Sequence, residues 1–365
     1  LIGLALLGLV ACASPPVAEI ELPEPVDVEL SVAHQVIAQP LNVSILLFET
    51  SVTDAPIGRI YEPIRNVEAA YLPVLLRNTL NESGHWGAVS VVPTLDTASE
   101  LFVTGQIVQS DAVELAVRFR VVDSRGVVWL DEEYRDYASE ESYLEVQSEI
   151  EDPFQDMFNH LANDMSTYLL TLDQKAHAAL LDTAMLRYAM LLSPEAFSNY
   201  LVLDEQGHIR LNGLPAANDP LYRYVREIRG REFEIQDVVD DHFENFHTDM
   251  RRVYPYWRQS SFELLSYNNQ LGTGASAGGR GSWHDVERVY RLYRERKLNE
   301  DELRELAMSF EREIDPTVAE LEGRVIELQG SLVTQYQNWR EILRQIYQEV
   351  TANTPDLSVP DPVRQ

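Results

Sequence analysis

The chain has 365 residues, 45% of them hydrophobic and 24% charged, a globular balance long enough for two domains. Its 29 Lys and Arg stand against 59 Asp and Glu, a net charge of -30. That excess opposes binding to nucleic acid over most of the surface and fits either a solvated acidic exterior or a basic partner protein.

Residues 1–11 contain only Leu, Ile, Gly, Ala and Val, and the first charge is Glu19. A bilayer-spanning helix needs about 20 apolar residues, so this run reads as the apolar part of a signal peptide, partial because no charged segment precedes it. Leu9, Val10, Ala11 and Cys12 resemble the bacterial lipobox. The resemblance implies signal-peptidase recognition of Leu9, Val10 and Ala11, cleavage before Cys12, and acyl chains on that cysteine. Cys12 is the only cysteine, so no internal disulfide can form. Residues 12–40 hold Pro15, Pro16, Pro23, Pro25 and Pro40 among five acidic residues, the composition of an extended tether with little core. By analogy with lipoprotein sorting, Ala13 after the cysteine directs the chain to the periplasmic face of the outer membrane.

From residue 41 the pattern becomes strand-like. VSILLFE at 43–49 is a nearly continuous apolar run, expected for a strand covered on both faces. Residues 64–80 carry apolar side chains at helical spacing, and Ser83-Gly84 ends them. Three or four strands are expected among the candidates 88–92, 101–109, 113–122 and 127–134, the last two joined by a turn at Asp123-Ser124-Arg125-Gly126. The order predicts a small β-α-β-β-β domain over 41–140, with a helix on a mostly antiparallel sheet.

Three segments of this domain, VSILLFE, SELFVTGQI (99–107) and VRFRVVDSRGVVWLDEEY (117–134), resemble a periplasmic domain of envelope lipoproteins. The family includes the curli-secretion lipoprotein, and its fold is similar to the TolB N-terminal domain. Its members show Ala-Asp where this chain has Ser99-Glu100. The resemblance implies assembly or scaffolding and brings no catalytic residue.

Residues 141–351 read as a larger, mainly helical domain, making the whole chain α+β. One helix is expected after Asp152-Pro153, running toward 192, and another over 221–254, where Pro255 interrupts. Residues 202–220 read as a loop. Five of residues 272–281 are glycine, which predicts a flexible loop. Apolar residues at Val318, Leu321, Val325, Leu328, Leu332, Trp339, Ile342 and Ile346 form a heptad-like stripe. They predict a helix over 316–350, about 52 Å long, paired with the helix before it as a long hairpin or with a second copy as a coiled coil. Residues 352–365 are expected to be a disordered tail.

Zinc-protease, serine-hydrolase, Cys-x-x-Cys and phosphate-loop signatures are absent from the sequence. Asp240, Glu244 and His247 share one helical face, a metal-ligand spacing whose alternative is a charged solvent face. Tyr254, Tyr256, Trp257 and Arg258 form a basic-aromatic patch, suited to glycan stacking or a partner surface, or else to the core beside a kink. These readings predict a non-enzymatic lipoprotein without a cofactor, held in the membrane by its N-terminal lipid. It would serve a structural or accessory role for an envelope protein partner. An oligomeric export ring and a metal-dependent enzyme of the helical domain are the alternatives.

Overall fold

The computed structural model describes residues 25, 27–35, 37–50, 62–95, 99–146, 152–274, 283–312, 316–321 and 323–353. It is an α+β fold, a mixed sheet followed by a mostly helical region. The apolar run at 43 forms β1 (Val43–Leu46), which continues after a break as β2 (Glu49–Thr50) and leads into α1 (Glu62–Ser83). Then come β3 (Val89–Val92), β4 (Leu101–Ser110), β5 (Glu114–Asp123) and β6 (Val128–Tyr137). The sheet order is β3-β1-β4-β5-β6, with β2 also on β4. β1 lies parallel to both β3 and β4, whereas β4, β5 and β6 are antiparallel neighbours. A strand flanked on both sides and covered on both faces has no polar face to show, which is why its sequence does not alternate.

Two motif residues meet directly. Phe48 lies over Gly105 on β4, where an added Cβ would come within 2.6 Å of the ring, and packs edge-on against Phe119 of β5 at 5.5 Å. The turn between β5 and β6 forms around Asp123, whose carboxylate accepts from the backbone N–H of Arg125 and Val127 and from Trp129 Nε1. Gly126 takes the positive φ of 83° that this turn requires.

Pro73 sits inside α1. It cannot donate to the carbonyl of Ala69, one turn earlier. That carbonyl instead accepts from Phe48 N at 2.9 Å, pinning the chain after β1 to the helix.

The expected tether, 12–40, is corrected in its second half. Described residues from Asp27 to Pro40 run as a strap against α3 (Gln155–Thr171) and the end of α1. Val28 N donates to Asp156 Oδ1 (2.9 Å) and its carbonyl accepts from Asn159 Nδ2 (2.9 Å). Asn163 holds Ser31 N and Glu29 O in the same way, at 2.8 and 2.9 Å. Ala33 N caps the Ser83 carbonyl at 2.8 Å, and Leu30 and Ile37 pack on the core. The side chains that receive the strap, Asp156, Asn159 and Asn163, lie about 130 residues away, so local composition gave no sign of the pairing.

After α2 (Glu140–Val146), the helix expected from 152 is two helices, α3 and α4 (Gln174–Leu192). Asp173 divides them, accepting from Ala176 N as the N-cap of α4. The short α5 (Pro194–Phe197) precedes a hairpin of β7 (Leu201–Leu203) and β8 (Ile209–Leu211) inside the expected loop. Next are α6 (Pro220–Met250), α7 (Tyr254–Gly274) and α8 (Trp283–Arg312). Pro255 stands in the first turn of α7, where its missing N–H costs nothing. Gly272 and Gly274 of the expected glycine loop close α7, and residues 275–281 lie outside the described residues.

The helix expected over 316–350 is also corrected. Residues in its first half form a β-hairpin, β9 (Thr317–Leu321) and β10 (Arg324–Leu328), followed by the shorter α9 (Leu332–Asn353). Gly323 and Gly330 adopt φ of 72° and 101°, which break a helix. Ser331 Oγ then caps α9 through Thr334 N. In the hairpin Leu321 and Leu328 face inward while Val318 and Val325 are exposed, so half of the heptad stripe is a coincidence of spacing. α9 packs along α6, and the helical pair of this region is α7 with α8.

Two apolar cores result. The first joins the sheet and α1 to Phe154, Phe158 and Leu161 of the α3 region and to Tyr254 and Trp257, so it runs across the expected boundary at 140. The second gathers α4, α6 and α9 around Tyr336 and Trp339. Among the described residues no helix is long and apolar enough to cross a membrane.

Candidate functional site

An enclosed polar centre lies where α1, the end of β4 and α7 meet. Glu68 occupies the apolar face of α1 in line with Ile64, Tyr71 and Leu75, and is 1% exposed. Arg258, also 1% exposed, reaches it from α7. Its Nη2 donates to Glu68 Oε1 (3.1 Å) and Ser110 Oγ (2.9 Å), Nη1 to the Asp111 carbonyl (2.9 Å), and Nε to Tyr254 Oη (2.6 Å). Ser110 Oγ and Tyr254 Oη each donate to Glu68 Oε1 at 2.7 Å. The guanidinium also lies 4.5 Å from the centre of the Phe154 ring. Burial pushes the Tyr254 phenol far above its ordinary value and Glu68 adds to this, so the hydroxyl keeps the proton it donates. A carboxylate and a guanidinium sealed together, with Glu68 Oε1 and the guanidinium held by neighbours, fasten sheet to helices.

This centre resolves the basic-aromatic patch expected at 254–258. Tyr254, Trp257 and Arg258 are buried, and Tyr256 alone of the four is exposed, at 55%. The cation is turned inward because Glu68 awaits it there, a pairing across 190 residues.

The metal candidates are corrected as well. Asp240 and Glu244 both pair with Arg77 of α1, and Asp240 Oδ1 also accepts from Val91 N on β3 at 2.7 Å. The positive charge between these carboxylates is therefore an arginine. Burial still lifts the Asp240 carboxyl, against the lowering effects of Val91 N and Arg77. His247 is buried and stacked on Tyr71, ring centres 4.6 Å apart. Burial lowers its pKa to about 4. Among the described residues no three His, Cys, Asp or Glu side chains are grouped so as to hold a metal ion. The shared helical face is real, but it packs against α1 through Asp240 and His247, and Glu244 at its edge is partly exposed.

Sequence reasoning missed two further pairings. Glu100, buried before β4, accepts from Asn42 N (2.8 Å) and from Arg229 Nη2 of α6 (2.5 Å), while Ser99 Oγ meets Ser44 Oγ at 2.6 Å. Glu232, also buried, lies 3.2 Å from Arg340 Nε and accepts from Tyr336 Oη, joining α6 to α9. For Glu68 and Glu232 a signal existed, since each interrupts an otherwise apolar helical line. An isolated carboxylate on such a face needs a buried cation, which spacing alone cannot name.

The signal-peptidase residues Leu9, Val10 and Ala11, the lipidation residue Cys12 and the tail at 354–365 lie outside the described residues. No protein-family model matches the chain, and no curated protein does so either. Among solved structures, the chain is similar to a crystal structure of a Xanthomonas campestris protein described by the family model DUF330. The two are 11% identical, with a TM-score of 0.21, over 40% of this chain and 90% of the other, a likeness too slight to carry an argument.

Proposed function

We propose that the protein is a lipoprotein of the outer membrane, facing the periplasm, with a structural or accessory role in assembling or activating an envelope complex. The observation that carries this reading is the strap. The segment after the lipobox-like cysteine is held along α3 by Asp156, Asn159 and Asn163. From Cys12 to Val28 the chain spans at most about 55 Å when fully extended. An acylated Cys12 would therefore hold the folded body close to the membrane, within reach of membrane-embedded partners. A mature lipoprotein carries more than one acyl chain, which makes such anchoring stable. The buried arginines described above are engaged in joining elements of the body, which supports a rigid spacer or platform more than a reaction centre.

The test is labelling with a fatty-acid probe and membrane fractionation of cells making the wild type or Cys12→Ala. Label on the wild type alone, with release of the variant from membranes, is the expected result. An unlabelled wild type, or a variant that stays in the outer membrane, overturns the anchor. Site-directed crosslinking in intact cells tests the accessory role, which requires a reproducible adduct with one envelope component.

A further inference from the structure

The strap is held to the body from outside only. None of its described residues, 27–35 and 37–40, is buried, whereas Leu41, the next residue, is fully buried and opens the first core. Three side chains of α3 carry the grip. Asp156 and Asn159 take the backbone of Val28, and Asn163 takes that of Glu29 and Ser31. Both Asn163 bonds are exposed, and those of Asp156 and Asn159 are partly so. Ala33 N on the Ser83 carbonyl and the partial packing of Leu30 and Ile37 complete it. Water can replace hydrogen bonds so placed, which keeps their net contribution small. The strap therefore opens at a lower free energy than the sheet that follows it.

The junction of strap and body is strained. Gln39 has a φ of 58°, and among the described residues it alone combines a side chain beyond glycine's with a positive φ. Pro40 opposes that conformation too, because a proline drives the residue before it toward extended backbone. Release of the strap lets Gln39 relax, so the strain works against docking. We propose that the strap is a two-state latch that sets the length of the membrane tether. Docked, the free tether runs from Cys12 to Val28, at most about 55 Å. Released, it runs to Leu41, at most about 100 Å. The body keeps its core in both states, and only its reach from the bilayer changes. The role in reach rests on the acylated Cys12 of the proposed function; the docking equilibrium does not.

The test is amide hydrogen exchange on the full chain in a nonionic detergent. Val28, Ser31 and Ala33 should exchange at least about a hundredfold faster than the amides of β4 and β5, yet slower than an unprotected chain. Asn159→Ala/Asn163→Ala should speed the strap at least about tenfold, with β4 and β5 unchanged as the check on folding. Gln39→Gly should act in the opposite sense and slow it about threefold, because glycine accepts the positive φ. Strap amides as slow as the sheet would make the strap a fixed part of the body and overturn the latch. Exchange at the unprotected rate in the wild type overturns it from the other side, and Gln39→Gly no slower than wild type removes the strained junction. Reach is read by neutron reflectometry of the acylated protein on a supported bilayer. The body of the double alanine variant should lie farther from the bilayer than that of Gln39→Gly, and equal heights overturn the tether role. An unacylated chain with a two-state strap loses only the anchor, and an acylated chain with a fixed strap loses only the latch.

Discussion

Two arginines reach across α1, and their settings differ. Arg258 is enclosed with Glu68 between α1, β4 and α7, and both side chains are at most 2% exposed. Arg77 emerges from the opposite part of the helix toward α6, where its partner Glu244 is 41% exposed. Between the centres lies an aromatic stack: His247 on Tyr71, and Tyr71 against Tyr254 at 4.7 Å. The enclosed pair has no water to replace a lost partner, whereas the Arg77 cluster opens to solvent at one end. The same residue types should therefore have very different energetic weight, set by burial.

The sharpest way to break the comparison is Arg258→Met. It leaves Glu68 charged and sealed, and should lower unfolding stability by about 3–5 kcal/mol, read by urea denaturation. Adding Glu68→Leu should restore much of that loss; a double variant as unstable as the single would show that packing, not charge, dominates. Arg77→Ala should cost only about 1–2 kcal/mol, because Asp240 keeps Val91 N and Glu244 gains water. A loss as large as that of Arg258→Met would erase the distinction between the centres.

A pH titration sharpens it further. The folded His247 pKa of about 4 lies below its ordinary 6.5, so unfolding takes up a proton between these values. Stability from this residue is present above pH 6.5 and is lost as pH falls toward 4, on the order of 3 kcal/mol in all. Asp136 has the opposite sign. Burial raises it to about 7, with Asp156 and Asp152 adding to the rise, so its contribution declines as pH climbs from about 4 to 7. His247→Phe should flatten the acid limb, and Asp136→Asn should unmask it. If neither substitution alters the stability–pH curve, these assignments fail. The smallest effect expected is at the strap: Asn163→Ala removes two half-solvated hydrogen bonds and should cost about 1 kcal/mol, with faster amide exchange at Ser31.

Legibility varied with the range of the interactions. The strands from β3 to β6 and the turn at Asp123 could be read because β-branched alternation and turn chemistry act over a few residues. So could the end of α1, where Gly84 takes a φ of 67°. The stripe from Val318 to Ile346 misled because apolar spacing of three, four and seven also suits a hairpin followed by a helix. Gly323, Gly330 and Ser331 carried the correction. Of the candidate site, residue types were visible and their roles were not. Arg258 could be read with either a surface patch or a core beside a kink, because Glu68 lies 190 positions away.

The sequence by itself determined the α+β class, the order of the elements from β1 to β6 and, to within four residues, the limits of α1 and α6. Only the tertiary structure decided what meets what: the strap on α3, Arg77 between two presumed metal ligands, His247 on Tyr71, and Tyr256 facing outward. Backbone periodicity is a local property, fixed by sterics and hydrogen bonding over a few residues. A buried charge is settled only when the fold brings a counter-charge to it, and no local pattern records which one arrives.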